Sequence, residues 1–434
     1  MASTVTPPRG MRDFLPSEKA QRERVLSVIR ETYRVHGFDE IETPVMEDSD
    51  RLHAGLGGDN EKLAFAVMKR ALTTDDLEAA SEPLDLADLG LRFDLTVPLA
   101  RFYASHRGEL PTIFRSIQIA PVWRAERPQK GRFRQFVQCD IDIIGEAGPM
   151  AEVELITATA AALDALGLTG CSIRINDRRL LSSALELLGF PPKEHEPVLI
   201  TIDKLDKLGH DGVITELRDR GFPAGPVDAL EAFFRQPMTT GMIPFSEAAI
   251  RRVLPEGVDP VAVAELAAIG LAVEEGRAGL GSGEAGAMQI VQFDPWLVRG
   301  MGYYTGAIFE VAHPSLSYSL GGGGRYDGMI GRFLGSDVPA AGFSLGFERI
   351  VELVEPANRR EVDAAALVYD PEISPASLMR LKATLVARGS RITLVPRPKN
   401  MRPLLESLQA QGYQRYAHAT DSVLADDLEF RQIG

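Results

Sequence analysis

A single arginine lies among apolar residues in the segment LVRGMGYYTG, residues 297–306. Leu297 and Val298 precede Arg299, and Tyr303 and Tyr304 follow it four and five positions later. A guanidinium in apolar surroundings that lacks an anionic partner carries a large desolvation cost. Any fold that buries this segment must therefore place an anion beside Arg299, and that anion is either another side chain or a ligand.

Two further arginines lie in β-rich or glycine-rich surroundings. Arg124 stands in PVWRAERPQ and Arg349 in GFSLGFERI. The planar guanidinium binds phosphate and carboxylate oxygens in pairs, so several converging arginines indicate a site for a polyanion or for charge that develops during a reaction. Any one of the three, taken alone, equally fits a buried ion pair.

Charge is unevenly distributed along the 434 residues. The net charge of −14 disfavours a non-specific nucleic-acid binder, because basic residues supply most of that affinity. Residues 377–418, however, hold eight basic residues and one acid, Glu406. This segment predicts either a nucleic-acid-binding face or a solvated helix face.

Composition also excludes several classes of protein. Cys139 and Cys171 are too few for a disulfide framework or a four-thiolate metal site, and the seven histidines lack zinc-ligand spacing, so we expect no bound structural metal. No apolar run approaches the roughly 20 residues that span a bilayer, and the N-terminus has no signal-peptide pattern. We therefore expect a cytoplasmic protein without a membrane role.

The first part of the chain predicts helices packed on a mixed or antiparallel sheet. Residues 113–123 and 136–144 are β-rich and flank a polar loop, as in an antiparallel hairpin. Periodicity predicts helices at 20–34, 61–89 and 151–166, and strands at 39–45 and 91–97.

Later segments differ in character. Leu/Ala-rich amphipathic stretches predict a helical insertion over 177–286, and strands are expected at 287–293, 307–312 and 317–320. Residues 341–353 begin as a glycine-rich strand and continue as a helix. From residue 362, strands at 364–369, 391–395 and 413–417 alternate with helices at 375–387 and 401–411, which predicts a small α/β domain with parallel strands. The closing DSVLADDLEFRQIG fits a last strand or a tail.

These motifs resemble those of one enzyme family. The segment around Arg299 is similar to the RG-Leu-Asp-YYTG signature of histidyl-tRNA synthetases, with Gly302 in place of the aspartate. GGRYD at 323–327 resembles the second signature of that family. Pro44, Arg124 with Glu126, and Gly346 with Arg349 resemble motifs 1, 2 and 3 of class II aminoacyl-tRNA synthetases. The resemblance runs from about Thr6 to Leu353.

The resemblance implies an α+β class II catalytic domain with a mixed or antiparallel sheet, a helical insertion and a C-terminal α/β anticodon-binding-like domain that is shortened. The implied segments are 1–176 (motifs 1 and 2), 177–286 (insertion), 287–358 (signatures and motif 3) and 359–434. Motif 1 implies a homodimer, and the insertion is expected to clasp the tRNA acceptor stem.

The resemblance also implies roles for the arginines. Arg124 would hold the α-phosphate of ATP and the histidine carboxylate, and Glu126 would face the adenine amino group. Arg132 and Arg349 would bind the β- and γ-phosphates. Arg299 would approach the α-phosphate from the side opposite Arg124, so that Arg124 and Arg299 are the implied catalytic residues, with no protein-bound metal; Mg²⁺ is expected with ATP.

The amino-acid pocket follows in the same way. Residues matching the family's histidine-binding positions are, besides Arg124 and Arg299, Asp94, Thr96, Gln138, Asp142, Tyr303 and Tyr304. If 91–97 is a strand, alternation places Asp94 and Thr96 on one face. Asp94 would pair with the ligand ammonium, and Gln138, Asp142 and a tyrosine hydroxyl would satisfy the imidazole nitrogens.

Other segments give weaker indications. GSGEAG at 281–286 fits a dinucleotide-binding pattern, but it follows a helix and precedes a strand, so a linker is the better interpretation. Residues 177–179 and the DKLDK at 203–207 look similar to the eukaryotic-type branch of the family, or equally to surface ion pairs of a helical insertion.

The implied activity is activation of histidine by ATP and transfer of the histidyl group to tRNA(His). The alternative is a paralogue that only binds histidine, such as the regulatory subunit of ATP phosphoribosyltransferase. Retention of all three arginines favours the enzyme.

Overall fold

A long antiparallel hairpin of two strands, Phe114–Trp123 and Gln135–Ile144, lies in the main sheet of the protein. The structure is a computed structural model that describes residues 5–53, 63–129, 131–235, 245–278, 290–299, 302–355, 363–421 and 423–433. The described residues up to 354, apart from 14–21, form one compact unit, and residues 14–21 with those from 355 onward form a second.

Eleven described strands of the first unit form two sheets. Their bounds are β1 (Asp39–Glu40), β2 (Met46–Asp48), β3 (Phe65–Met68), β4 (Ala87–Leu91), β5 (Phe114–Trp123), β6 (Gln135–Ile144), β7 (Ser172–Asp177), β8 (Val291–Phe293), β9 (Ala307–Ala312), β10 (Gly321–Arg325) and β11 (Ala340–Gly346). The larger sheet has the order β1-β5-β6-β11-β10-β9-β7-β8, and the smaller has the order β2-β4-β3. Only β1 with β5 and β7 with β8 pair in parallel among the described strands of the larger sheet.

The described helices up to residue 353 are α1 (Pro16–Val35), α2 (Ser49–Leu52), α3 (Thr74–Ala79), α4 (Thr96–His106), α5 (Met150–Ala165), α6 (Arg178–Leu187), α7 (Pro192–Ile202), α8 (Leu205–Asp219), α9 (Ala224–Phe234), α10 (Glu247–Arg252), α11 (Pro260–Ala278), α12 (Asp327–Leu334) and α13 (Phe347–Leu353). Helices α5, α6, α11, α12 and α13 contact strands of the larger sheet, and α7, α8 and α9 pack in sequence on one another, with α7 against α6. A 3-10 turn covers Pro83–Leu86. None of the described helices combines the length and apolar character required to cross a bilayer.

The side chains of β6 alternate between apolar residues, which face the core, and polar residues, which face the other side of the sheet. Cys139, Ile141 and Ile143 are fully buried in a core that also contains Ile29 of α1 and Leu155 of α5. Because successive side chains of a strand point to opposite faces, the polar residues between them lie on the other side of the sheet. The apolar residues of β6 thus fix which face its carboxylates occupy.

The second unit contains strands β12 (Ala364–Tyr369), β13 (Arg391–Pro396), β14 (Arg415–Ala419) and β15 (Arg431–Gln432), with helices α14 (Pro375–Ala387) and α15 (Met401–Ala410). The first three strands pair in parallel in the order β13-β12-β14, and β15 is added antiparallel to β14. The predicted α/β domain is confirmed, and the end of the chain contributes a short last strand.

Several predicted elements are correct and others are wrong. The 113–123 and 136–144 hairpin, the helical insertion and the strand-to-helix junction at 346–347 are confirmed. The helix predicted over 61–89 is wrong, because its described part contains β3, the short α3, a 3-10 turn and the start of β4. The third predicted strand after the insertion lies not at 317–320 but in the glycine run of β10.

The strand predicted at 91–97 is also wrong. β4 ends at Leu91, and α4 begins at Thr96, so Asp94 lies in the turn between them. The predicted 39–45 strand is limited to two residues, Asp39 and Glu40, before β2. The GSGEAG segment at 281–286 lies outside the described residues.

Candidate active site

One cavity of about 240 Å³ lies over the main sheet of the first unit. All the site residues predicted from the sequence line it: Asp94, Thr96, Arg124, Glu126, Arg132, Gln138, Asp142, Arg299, Tyr303, Tyr304 and Arg349. The structure therefore brings together residues that are up to 255 positions apart in the chain.

The floor of the cavity is formed by β6 and its neighbour β11. Asp142 faces Gly342 across the two strands, and Asp140 faces Ser344. A Cβ built on Gly342 would overlap Oδ1 of Asp142, so the glycine leaves room for the carboxylate. Asp140 shares the face of Asp142 and was missed, although alternation along the predicted strand would have found it.

Asp94 is buried beside Arg124 and caps the start of α4. Its Oδ1 accepts a hydrogen bond from the backbone N–H of Val97 at 3.2 Å. Burial raises the pKa of Asp94 to about 6, although the backbone N–H groups of Val97 and Thr96 and the charge of Arg124 oppose the shift. The site thus holds a carboxyl group that a bound cation would stabilise in its charged form.

Asp142 is held by a tyrosine that the sequence analysis did not assign to the site. The Tyr326 hydroxyl donates a 2.6 Å hydrogen bond to Oδ1 of Asp142. Burial raises the pKa of Asp142 to about 7, the hydrogen bond from Tyr326 opposes the shift, and the charge of Asp94 adds to it. Tyr326 is the tyrosine of GGRYD, so the motif that was noted only for its glycines also supplies this side chain.

Aromatic rings form one wall of this part of the cavity. The Tyr303 and Tyr304 rings lie with centroids 4.7 Å apart, and Tyr303 meets Tyr326 edge-on at 6.2 Å. Gln138 donates from Nε2 to Ser344 Oγ at 3.1 Å and to Asp140 Oδ2 at 3.2 Å. A compact aromatic and polar compartment results, lined by the carboxyl groups of Asp94, Asp140 and Asp142.

The arginines line the other end of the cavity. Arg124 donates from Nε to the Phe93 carbonyl at 2.9 Å, and its guanidinium lies 5.1 Å from the centroid of the Phe136 ring. Arg349 donates to the Ser319 carbonyl and lies 4.8 Å from the Tyr318 ring centroid. Burial and the charge of Arg132 lower the pKa of Arg349. This end therefore holds more positive charge than its immediate neighbours neutralise.

Two of the remaining cations already have carboxylate partners. Arg132 forms a 3.1 Å ion pair with Glu126 at the more exposed rim. Arg299 donates from Nη1 to Oε2 of Glu310 on β9 at 2.9 Å. The anionic partner that the apolar surroundings of Arg299 predicted is thus Glu310, a side chain of the same chain. Arg299 also lines the cavity.

Glu348, also missed from the sequence, supports the first turn of α13. Arg22 donates to both of its carboxylate oxygens, at 2.6 and 2.8 Å, and Arg12 pairs with it as well. The backbone N–H of Val137 on β6 adds a further hydrogen bond at 3.3 Å. Glu348 thereby connects α1, β6 and the helix that carries Arg349.

Metal-binding side chains do not cluster in the described part of the chain. No group of three or more His, Cys, Asp or Glu residues there is placed to hold a metal ion. The carboxyl groups of the cavity are instead engaged by Arg22, Tyr326, Arg132 or backbone N–H groups. The donor set fits a site that binds anionic oxygen through arginines.

This sheet, with its glycine-rich strand entering α13 and its cavity of arginines, has the class II aminoacyl-tRNA synthetase fold. A crystal structure of histidyl-tRNA synthetase from Nostoc sp. PCC 7120 matches 95% of this chain and 91% of its own, with a TM-score of 0.73 at 24% identity. A structure titled ATP phosphoribosyltransferase regulatory subunit/histidyl-tRNA synthetase, from Bacillus halodurans, aligns with 96% of this chain and 99% of its own length, with a TM-score of 0.73 at 21% identity.

The chain belongs to the histidyl-tRNA synthetase family. The family model for histidyl-tRNA synthetase matches residues 10–350. A histidine–tRNA ligase from Leifsonia xyli is 56% identical over 437 aligned positions, which cover 100% of this chain and 99% of that protein. The predicted family and fold are confirmed. The predicted likeness to the eukaryotic-type branch is not supported, since the relatives named here are bacterial.

That branch prediction rested on residues which the structure places in ion pairs. Asp177 caps α6 and accepts a hydrogen bond from Nη2 of Arg179 at 2.7 Å, and Arg179 also pairs with Glu265. Asp206 pairs with Arg174 at 3.1 Å. The alternative interpretation, ion pairs of a helical insertion, accounts for these residues.

Proposed function

We propose that the chain catalyses the ligation of histidine to tRNA(His) in two steps. Histidine and ATP first give histidyl-adenylate and pyrophosphate, and the histidyl group then passes to the terminal ribose of the tRNA. The observation that carries this proposal is one cavity in which a compartment with the carboxyl groups of three aspartates and with three tyrosines adjoins a wall of arginines. One end suits a cationic, hydrogen-bonding amino acid and the other a triphosphate.

The arginines explain how the first step is accelerated. A carboxylate oxygen of histidine attacks the α-phosphorus, and the bond from that phosphorus to the oxygen of the leaving pyrophosphate breaks. Arg124 and Arg299 stabilise the charge that develops on the α-phosphate, and Arg132 and Arg349 hold the β- and γ-phosphates. Fixed cations in a water-poor cleft act without reorganising during the reaction. The lowered pKa of Arg349 fits a group that gains an anionic partner when ATP binds.

Glu126 lies near the same end of the cavity. Its pairing with Arg132 at 3.1 Å places both residues at the rim, where the adenine and terminal phosphates would enter. We assign Glu126 to the adenine amino group and expect ATP to replace Glu126 as the anionic partner of Arg132. Mg²⁺ would arrive as part of the MgATP substrate, held by phosphate oxygens.

The carboxyl end of the cavity explains selectivity for histidine. Asp94 receives the ammonium group near Thr96, while Gln138, Asp142 and the hydroxyls of Tyr303 and Tyr304 bind the imidazole. A site that hydrogen-bonds its ligand throughout rejects analogues lacking those groups by roughly 10⁴-fold or more, so editing is not required. Asp140 is placed to hold Gln138 for this purpose, because it accepts from Nε2 of Gln138.

The second unit is proposed to contact the tRNA anticodon. Eight basic residues lie in 377–418, and two of the lysines, Lys382 and Lys399, make no ion pair with any described residue. Acids outside that segment reduce its charge: Asp363 pairs with Arg415, Asp370 with Arg397 and Asp426 with Arg388. Arg380 and Arg391 also lack an ion pair with a described residue, but Arg380 donates to Oγ of Ser377 and Arg391 lies over the Tyr413 ring, so the lysines are the best candidates for phosphate contacts. The helical insertion is proposed to contact the acceptor stem.

A homodimer is also proposed. Strand β1 lies at an edge of the main sheet, and the neighbouring small sheet exposes large apolar side chains: Val45 is 41%, Met46 46% and Met68 61% exposed. Pro44 precedes them, as the motif 1 resemblance requires. Light scattering after gel filtration tests this, and a monomeric mass would contradict it. The cytoplasm, where tRNA is charged, is the proposed compartment.

Histidine-dependent ATP–pyrophosphate exchange, followed by charging of tRNA in the same reaction, tests the proposed function. Exchange together with charging is the expected result. Histidine binding without exchange would favour the regulatory paralogue, which needs no catalytic arginines. Exchange without charging would indicate a different acceptor for the activated histidine.

A further inference from the structure

Outside the cavity, four carboxylates and one arginine gather on the far side of Arg299. A second cavity of about 150 Å³ is lined by Arg174 together with Asp203, Asp206, Asp294 and Glu310. Glu310 belongs to both neighbourhoods, because it also accepts the hydrogen bond from Arg299. None of these residues has a role in the function proposed above.

Glu310 bridges two arginines with its two oxygens. Oε2 accepts from Nη1 of Arg299 at 2.9 Å, and Oε1 accepts from Nη2 of Arg174. The Glu310 and Arg299 side chains are 15% and 21% exposed, so water competes little for this pair. Because Arg174 holds the Glu310 carboxylate, Glu310 fixes one edge of the Arg299 guanidinium. The other N–H donors of Arg299 then remain for ligands in the cavity.

Arg174 is in turn held by a second carboxylate. Its Nη1 donates to Oδ2 of Asp294 at 3.1 Å, and Asp294 is fixed by the backbone N–H of Trp296 at 2.9 Å. Strands β7, β8 and β9 adjoin in the sheet, so Arg174 on β7 and Glu310 on β9 are register partners. The support behind Arg299 is therefore built on rigid strands.

We propose that Glu310 is a positioning residue for Arg299, held in place by Arg174. The inference rests on the proposed function, because it assigns Arg299 to the α-phosphate. Glu310 does not touch the substrates. It orients the guanidinium so that Arg299 meets the transition state without prior reorientation, which is the condition for electrostatic stabilisation by a fixed charge.

Variants at position 310 show whether the length or the charge of the Glu310 side chain matters for the activity. Gln keeps the length and one accepting oxygen, whereas Asp keeps the charge but is one methylene too short to reach Arg299. We expect Glu310→Gln to retain more pyrophosphate-exchange activity than Glu310→Asp, and Glu310→Ala to lower kcat by about 10- to 100-fold with a smaller change in the KM values for histidine and ATP. Equal kcat for the Ala variant and the wild type would overturn the proposal.

A double-mutant cycle with Arg299→Ala distinguishes positioning from a general structural role. If Glu310 acts through Arg299, Glu310→Ala causes no further loss of kcat in the Arg299→Ala background. Losses that multiply would overturn the proposal, and melting curves show which variants are folded. Should the Ala variant fail to fold, the Glu310→Asp variant, whose carboxylate is too short to reach Arg299, replaces it in the cycle.

Asp206→Asn is the matched control. Asp206 also pairs with Arg174, but its side chain is 69% exposed, and exposed pairs contribute little. We expect kcat within about twofold of the wild type for this variant. A wild-type protein that shows no histidine-dependent exchange would overturn the proposed function itself, whereas exchange that is insensitive to Glu310 overturns this inference alone.

Discussion

The Glu196 carboxylate lies beside the α-carbon of Gly302, so that a Cβ built on Gly302 would overlap Oε1 of Glu196 and stand 3.3 Å from its Cδ. Gly302 is the position at which the family signature has aspartate. In this chain, α7 of the insertion places a carboxylate next to that position, near Arg178, whose pKa is lowered by burial, a shift that the charge of Glu196 opposes. Glycine at 302 and glutamate at 196 are therefore complementary.

Gly302→Asp is expected to impair histidine binding through charge and not through size. The end of a glutamate side chain can move aside for a Cβ, so size alone is tolerated. Two carboxylates about 4 Å apart, however, repel by about 1 kcal/mol even in water. If this repulsion displaces the adjoining Tyr303, the KM for histidine should rise by about fivefold. Gly302→Asn, of the same size, should stay near the wild type. Glu196→Gln should restore the Asp variant, and a KM for histidine that rises equally in the Asp and Asn variants would disprove this explanation.

Gly322→Ala is expected to displace Arg299. A Cβ at position 322 would stand 2.7 Å from Cζ of Arg299 and 2.8 Å from the Phe309 carbonyl oxygen, and the backbone atom cannot move aside cheaply. Exchange kcat should fall by about tenfold or more, because Arg299 leaves its position. Gly328→Ala on α12 is the control, since a Cβ there meets nothing within 4 Å. Equal kcat values for the two variants would contradict the close packing of Arg299 on β10.

The identities of the site residues could be predicted from the sequence more reliably than the secondary structure that carries them. Asp94 and Thr96 line the cavity as expected, yet they belong to a turn and a helix N-terminus and not to a strand. The sequence LRFDLTV alternates like a strand, but Asp94 accepts a hydrogen bond from the backbone N–H of Val97, three positions further on, in the first turn of α4. Local periodicity cannot register such a contact in advance.

Other misses have a different origin. Glu348 and Tyr326 act through partners more than 180 positions away, Arg22 and Asp142, so no local pattern marks them. The C-terminal α/β alternation was predicted almost to the residue, because each element there is short, regular and separated by Gly, Pro or Asn. The sequence did not predict that acidic residues neutralise part of the basic segment, because Asp363 and Asp426, which pair with Arg415 and Arg388, lie outside it.

Arg299→Ala should reduce the rate of adenylate formation. Loss of one fixed donor to a developing oxyanion costs about 10²- to 10³-fold in kcat, with a smaller change in KM. Pyrophosphate exchange measures this directly. Arg115→Ala is the control, because Arg115 forms a comparable ion pair with Glu154 at 2.6 Å but does not line the cavity. Unchanged exchange in Arg299→Ala would refute its catalytic role.

Lys382→Ala combined with Lys399→Ala should weaken tRNA charging and leave histidine activation unchanged. Both lysines belong to the second unit, and each phosphate contact that is removed lowers the salt dependence of tRNA binding by about one unit of slope. Charging kinetics at several salt concentrations give that slope, and exchange in the same preparation reports the intact first unit. A KM for tRNA equal to that of the wild type would exclude these lysines from the interface.

Binding of the amino acid should weaken as the pH falls, because Asp94 must be charged to pair with an ammonium group. Burial raises the pKa of Asp94 to about 6, so binding of an ammonium group below that pH requires release of a proton. The affinity should therefore be constant above the pKa and fall by about tenfold per pH unit below it. Titration calorimetry in buffers of different ionisation enthalpy measures both the affinity and the released proton.

Histidine itself is protonated near pH 6.5, so its triazole analogue, whose ring stays neutral in this range, is the better ligand for the experiment. Asp142, with a pKa raised to about 7, adds a second inflection if it also must be charged. Asp142→Asn removes that inflection and should leave the one from Asp94, because the shift at Asp94 arises from its own burial. An affinity of the Asp142→Asn variant that does not change between pH 5 and 8 would show that Asp94 is not the partner of the ammonium group.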